Sequence, residues 1–365
     1  MPDQQFVDLL RELSDAFGPS GHEEEVREIV LREMRPYADE IRVDKWGNAI
    51  GVRKGGKRTA MVAAHMDEIG LLVDRVEENG FLRFRGIGGW NEVTLVGQRA
   101  VLKAEDGREV KGVIGGRPPH VTPQGKEREA PELKELFIDA GFQSAADAEK
   151  AGVTVGTVGV LDRKFEQLAG DMVTGKAFDN RVGVAVMLWA MRELMRSEAT
   201  IYFVATVQEE VGLRGAQVSA DAINPDFAIA LDTTIAADVP GVPERDRVTA
   251  LGKGPAIKVA DGGRGGLFIA HPRVNEHLRS VASREGIPFQ LEVLIGGSTD
   301  AQAIAFRRSG IPSTTISIPT RYVHSPVEVL SVSDALNAAH LLRASLEFAD
   351  EAFFEEISEK KLKRC

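Results

Sequence analysis

The spacing of apolar residues changes character along the chain, and each change predicts a different kind of structure. Phe6, Leu9, Leu10, Leu13 and Phe17 recur at helical spacing over residues 4–17, and Gly18-Pro19 then stops the helix. A second amphipathic helix begins after Gly21, with Val26, Ile29, Val30 and Met34 on its inner stripe. Ile41–Val43 and Ala49–Val52 predict a hairpin around Trp46-Gly47-Asn48. The short unbroken run Thr59–Ala64 predicts a central strand covered on both faces. From about Ile69 to Leu161 the pattern becomes short Val/Leu segments between Gly, Asp-Gly and Asn-Gly turns, the signature of a small antiparallel barrel or sandwich. Helices are predicted there only at Pro131–Ala140 and Ser144–Ala151. After Met172 strands and helices alternate: helix 180–196, strand 200–207, helix 214–222, strand 226–231, helix 272–285, strand 289–294, helix 300–309, strand 313–318 and a last helix over 332–348.

Alternation of this kind implies an α/β fold, a mixed and mostly parallel sheet between helices, interrupted by an inserted small β-barrel-like domain. The expected organisation is a discontinuous α/β domain (residues 1–68 and 162–351), a β-rich insertion (69–161) and a charged, solvated tail (352–365). At 365 residues the length suits about two domains.

Composition narrows the class. With 43% hydrophobic and 27% charged residues the chain is globular, and a net charge of −10 argues against a nucleic-acid partner. No apolar run approaches the roughly 18 residues needed to span a bilayer, so no membrane association is expected. The single cysteine, Cys365, allows no internal disulfide and no thiolate metal cage. Together with an acidic, amphipathic N-terminus unlike a signal peptide, this makes a cytoplasmic location the expectation.

The stretch IYFVATVQEEVG (201–212) poses the chemical question. An apolar strand that ends in adjacent glutamates should turn one of them inward unless the strand has already ended, in which case the pair is an ordinary solvated strand end. A carboxylate in an apolar interior must be solvated, paired or bound to a metal. Other strand ends carry similar residues. Thr59–Ala64 leads into His65-Met66-Asp67, strand 226–231 into Asp232, and strand 313–318 into a segment containing His324; Asp179 sits in the turn that opens helix 180–196. Each has an ordinary reading on its own: a satisfied buried histidine, a helix cap, a turn former, a loop histidine. In an open α/β sheet, however, ligands bind beyond the carboxyl ends of the strands. Acids and imidazoles converging there suit a pair of borderline cations, since zinc accepts both donor types and a shared carboxylate can hold two ions. Asp67, two residues from His65, is placed to fix that imidazole's tautomer.

The segments AAHMDEIG, GKAFDNRVG, VQEEVGLRGA, ALDTT, GGSTDAQA and RYVHSPVEV resemble the dinuclear metalloaminopeptidases of metallopeptidase family 42, the tetrahedral aminopeptidases of deblocking and glutamyl type. The resemblance runs through almost the whole chain and includes FIDAGFQSAADAEKAGV in the insertion. It implies a phosphorylase/hydrolase-like catalytic domain of the zinc-peptidase type and an insertion that serves dimer contacts. Two divalent ions per subunit would follow, Zn2+ foremost, with Co2+ or Mn2+ as alternatives. By that resemblance Asp179 bridges the metals, His65 and Asp232 complete one site, and Glu210 and His324 complete the other. Glu209 is then the general base and Asp67 the partner of His65. The expected substrates are short peptides, and the expected assembly is a homo-oligomer, a tetrahedral dodecamer. Rival readings are a dinuclear amidase or deacylase, a carboxylate-pair glycosidase, in which the histidines would have no task, and a non-catalytic scaffold. The preferred N-terminal residue is not legible. GGSTDAQA (296–303) reads either as a helix start whose backbone N–H groups face the substrate or as a loop with a cap, and Asp300 stands outside the core site; the glycine-rich DGGRGGLFIAHPR (261–273) reads as a substrate-side loop, and His120 as exposed.

Overall fold

A computed structural model describes residues 3–118, 120, 131–263 and 266–358. Helices α1 (Gln4–Asp15) and α2 (Glu24–Met34) precede a hairpin of β1 (Glu40–Val43) and β2 (Ala49–Arg53), then β3 (Arg58–His65). The next strands are β4 (Gly70–Val76), β5 (Leu82–Ile87), β6 (Arg99–Lys103), β7 (Glu109–Gly115) and β8 (Phe137–Asp139), followed by α3 (Ala145–Lys150) and β9 (Val158–Leu161). The chain continues through β10 (Glu166–Gln167) and β11 (Met172–Gly175) into α4 (Phe178–Glu193), β12 (Ala199–Thr206), α5 (Arg214–Ile223) and β13 (Phe227–Ile235). It then forms β14 (Ala256–Gly263), β15 (Gly266–Ile269), α6 (Pro272–Glu285), β16 (Gln290–Ile295) and α7 (Asp300–Ala305). Last come β17 (Ser313–Arg321), β18 (Glu328–Ser331), α8 (Val332–Glu347) and α9 (Glu351–Ile357).

The fold is mixed α/β, as expected. A twelve-stranded sheet runs β1-β2-β12-β3-β13-β17-β18-β11-β10, with β14, β15 and β16 joined through β17. Its centre, β12-β3-β13-β17, is parallel. Strand β3 explains the unbroken apolar run: Ala60, Val62 and Ala64 enter the core shared with α1, α4 and α8, while Met61 and Ala63 enter the core shared with α5 and α7. Helix α4 is buried from Phe178 to Met191, and after the polar turn Asp179-Asn180-Arg181 it is apolar all round from Val182 to Met191, as a helix packed on every side must be. Strands β4 to β9 close into an antiparallel barrel, β4-β5-β8-β7-β6-β9, with its own core around Leu71, Leu82, Leu102 and Ile138.

Several expectations need correction. Pro131–Ala140 is not a helix: a single 3-10 turn at Leu133–Glu135 leads into β8, whose Ile138 pairs with Leu82 and Ile114 and closes the barrel. Long-range pairing overrides the helical spacing of that segment. The tail begins later than residue 352. Helix α9 buries Phe353 and Phe354, and both rings stack edge-on against Phe227. Residues 359–365 lie outside the described part. The glycine-rich segment from 261 is the end of β14 and the strand β15 rather than a loop, although 264 and 265 lie outside the described residues.

One buried cation ties the N-terminal helices to the start of α4. Arg181, fully buried, donates to the carbonyls of Leu13, Met66, Ala16 and Gly18 (2.6, 2.6, 3.2 and 3.2 Å) and to Glu68 at 3.1 Å. Lys176 shares Glu68 at 2.8 Å. The guanidinium thus anchors the turn before α2, the segment after β3 and the first turn of α4, which carries Asp179.

Candidate functional site

The pairing of β3 with β13 ends at Ala63 and Ala230, and beyond that point the strands part. His65 and Asp232 stand on either side of the resulting crevice. Asp232 lies within β13, which continues to Ile235, rather than at the strand end expected from the sequence. Asp179 reaches the same crevice from the irregular first turn of α4, which Asn180 Nδ2 fastens to Leu231 O at 2.8 Å. His324 arrives from the turn after β17, in the left-handed conformation. Glu209 and Glu210 follow β12, which Gln208 ends with a positive φ of 55°.

These residues form two groups that share one carboxylate. His65 Nε2 lies 3.4 Å from Asp179 Oδ1 and 3.7 Å from Asp232 Oδ1. His324 Nε2 lies 3.3 Å from Asp179 Oδ2 and 3.4 Å from Glu210 Oε2. In each group the ligand-type atoms lie within 4.8 Å of one another. The adjacent glutamates diverge, Glu210 toward His324 and Glu209 toward His65, 3.9 Å from Nε2. Asp179 Oδ1 and Glu210 Oε1 are buried without a hydrogen-bond partner, an arrangement that is costly unless a cation satisfies it. The donor set, imidazole nitrogen and carboxylate oxygen, suits zinc and related divalent ions.

Electrostatics follow the geometry. Burial alone would lower the His65 pKa, but Glu209, Asp179, Asp232 and Asp67 outweigh it and hold the ring protonated in the absence of a metal. His324 is likewise opposed by burial, yet Glu210 and Asp179 push it up to about 12. Burial works against the charge of Asp179, and the two imidazoles still hold it below the usual carboxylate range. Glu209 is driven the other way, by burial and by Asp232, Glu210 and Asp300.

The supporting residues are less legible from sequence. Asp67 meets His65 Nδ1 through its main-chain carbonyl (3.1 Å) more closely than through Oδ1 (3.4 Å). Its carboxylate instead accepts from Ser20 Oγ (2.6 Å) and from the main-chain N–H groups of Glu209 and Glu210 (3.0 and 3.1 Å). Asp67 therefore fixes the turn that separates the two glutamates. Asn48 pins the same turn by accepting from Val207 N and donating to Gly215 O (3.0 and 3.1 Å). Glu328, buried, accepts from Asp179 N and His324 N with its two oxygens (2.9 and 3.0 Å), so one carboxylate aligns the backbone of both. Nothing in its residue type marks it, although it stands four positions after His324. The barrel also reaches the site: a Cβ on Gly88 would meet Glu210 Oε2 at 3.1 Å and Ile69 at 2.6 Å, at a φ of +75°. Asp300 is buried and accepts from Thr206 Oγ1 at 2.6 Å, behind the site rather than in either group. His120 is exposed. The groups open into a cleft of about 780 Å³ whose far wall includes Lys258, Leu294 and Gly296.

A family model described as M42 glutamyl aminopeptidase matches residues 47–341. The chain belongs to the M42 aminopeptidase family. It is 43% identical to a putative aminopeptidase of Acetivibrio thermocellus over 94% of this chain and 98% of that one. Among solved structures, the aminopeptidase APDkam598 of Desulfurococcus kamchatkensis superposes with a TM-score of 0.95 at 48% identity, covering 99% of each chain. The TET1 peptidase of Pyrococcus horikoshii, described as assembling into a tetrahedron or a large octahedral shell, superposes with a TM-score of 0.83 at 32% identity, over 94% of this chain and 99% of that one. M42 membership makes the protein a metal-dependent aminopeptidase, a hydrolase of peptide bonds. Among the described residues no helix is long and apolar enough to cross a membrane.

Proposed function

We propose that this M42 enzyme removes N-terminal residues from short peptides at a centre of two divalent cations, Zn2+ foremost. The observation that carries the reading is the pair of ligand groups sharing Asp179. His65 and Asp232 would hold one cation, Glu210 and His324 the other, and Asp179 both. When bound, such a pair supplies a water nucleophile active near neutral pH and polarises the scissile carbonyl. Glu209 takes the proton of that water and returns it to the leaving amine. Its position supports the role, since it lines the cleft beside His65 without belonging to either ligand group. Asp67 keeps the glutamates apart by holding both of their N–H groups, and its carbonyl orients His65.

Assembly as a homo-oligomer is supported by the likeness to TET1, and we read it as a tetrahedral dodecamer with residues 69–161 as the dimerising domain and residues 1–68 with 162–351 as the catalytic one. The lack of internal cysteines supports a cytoplasmic location.

The test is a screen of aminoacyl-chromogenic substrates and short peptides with the metal-loaded protein, before and after EDTA. Stepwise release from the amino end, abolished by EDTA and restored by added metal, is expected. Activity on internal peptide bonds, on glycosides, or insensitive to EDTA would contradict the reading. Metal uptake should also release protons. Both imidazoles are protonated in the free protein and must be neutral to ligate, so affinity should fall as pH falls. Titration calorimetry in buffers of different ionisation enthalpy reads the released protons directly, and a buffer-independent heat would count against this.

A further inference from the structure

The turn that follows β12 is held from outside. Its four successive main-chain N–H groups, from Val207 to Glu210, each donate to a side chain that precedes β4. Val207 N donates to Asn48, Gln208 N to Glu23, and Glu209 N and Glu210 N to Asp67, at 3.0, 3.2, 3.0 and 3.1 Å. Glu23 is the buried acid of this set to which the site has so far given no task. It is 3% exposed, and a carboxylate so far from water needs donors. It stands at the N-cap of α2 yet makes no side-chain cap bond to that helix. Its Oε1 instead accepts from Gly21 N at 2.7 Å and from Gln208 N. Gln208 has a φ of 55°, a left-handed conformation that a residue with a side chain keeps only where its surroundings enforce it. The support is itself fixed. Ser20 N donates to Glu68 O and Glu68 N to Gly18 O (3.3 and 3.0 Å), and Ser20 Oγ donates to Asp67 Oδ2 at 2.6 Å. Residues 18–23 are thus a strap clamped to the segment after β3, and the strap delivers Glu23 to the turn.

We propose that Glu23 is a positioning residue for the hydrolysis: by holding the Gln208 N–H it sets the turn that aims the Glu209 carboxylate at the reacting water. The proposal rests on the reading of Glu209 as the general base. A base must lie within hydrogen-bond reach of the proton it takes, and a misplacement of about 1 Å can cost as much as roughly 10²-fold in rate. The two glutamates depend on the turn unequally. Glu210 belongs to a ligand group, so a bound cation fixes its carboxylate as well as the backbone does. Glu209 belongs to neither group, so its aim depends on the backbone that carries it. Loosening the chain at Gln208, one residue before Glu209, therefore falls on the base and spares the metals. Through this contact the N-terminal strap, remote in sequence from every ligand, acts on the rate of the chemical step.

Steady-state kinetics of the metal-loaded full chain on an aminoacyl-chromogenic substrate, with elemental analysis of the same preparations, tests this. Glu23→Asp is one methylene shorter and draws the carboxylate away from Gln208 N, while aspartate remains a favoured N-cap for α2. It should keep the wild-type metal content and KM and lose kcat by about tenfold. Glu23→Gln keeps the length and an amide oxygen that can accept the same N–H, so it should turn over about fivefold faster than Glu23→Asp. In a Glu209→Gln background the group being positioned no longer takes a proton, so adding Glu23→Asp should cost less than about twofold. A wild-type kcat in Glu23→Asp overturns the proposal and leaves Glu209 as the base. So does a loss of metal that accounts for the lower rate, or the full loss persisting in the Glu209→Gln background. Glu23→Gln as slow as Glu23→Asp would trace the effect to charge rather than to the held N–H, and overturns it as well. Wild-type turnover in Glu209→Gln alone would overturn the general-base reading and this proposal with it. If Glu23→Asp does not fold, Glu23→Ala takes its place with the same outcomes.

Discussion

Glu209→Gln is expected to retain the bound metals and to lose turnover by at least roughly 10²-fold, the scale of a positioned general base. Glutamine keeps the shape of the side chain and can still hydrogen-bond to a water, but it cannot take the proton. The neighbouring substitution should behave differently. Glu210 lies 3.4 Å from His324 and belongs to a ligand group, whereas Glu209 does not. Glu210→Gln replaces a carboxylate ligand with a neutral amide oxygen, so it should weaken metal binding and regain part of its activity when metal is added. Elemental analysis and rate measured on the same two preparations separate the roles. Metal loss in Glu209→Gln with retention in Glu210→Gln would reverse them.

Asp179→Ala is expected to cost both metals, and with them activity, whereas His65→Ala should mainly weaken one site. The reason is geometric: the two oxygens of Asp179 face different imidazoles, at 3.4 and 3.3 Å, so its loss leaves two cations facing each other without the carboxylate between them. Glu328 holds Asp179 N in place, so the substitution deletes the ligand without removing the support of the backbone. Equal metal content in the two variants would count against a bridge.

The ligand-type residues were legible in the sequence because each stands at a break in the pattern: an apolar strand run that ends in a histidine or acid, or the first turn of a buried helix. The parallel order of β12, β3, β13 and β17 then brings those breaks to one edge. What was not legible depends on contacts remote in sequence. Pro131–Ala140 has helical spacing, and only the need to close the barrel makes Phe137–Asp139 a strand. The tail reads as charged and solvated because its glutamates hide the two phenylalanines that dock on Phe227. Glu328, the first residue of β18, shows no task in the sequence until the fold sets it against the N–H groups of Asp179 and His324. Asp67 shows the mixed case: the sequence pointed to a partner of His65, and the structure adds a larger task, holding the backbone of Glu209 and Glu210.

The most direct measurement of the central claim is a crystal structure of the zinc-loaded enzyme with anomalous data at the zinc edge. The account predicts two peaks about 3.5–4 Å apart, one among His65, Asp179 and Asp232 and the other among Asp179, Glu210 and His324, with Glu209 bound to neither. A single peak at full activity, or Glu209 as a ligand in place of Glu210, would contradict it.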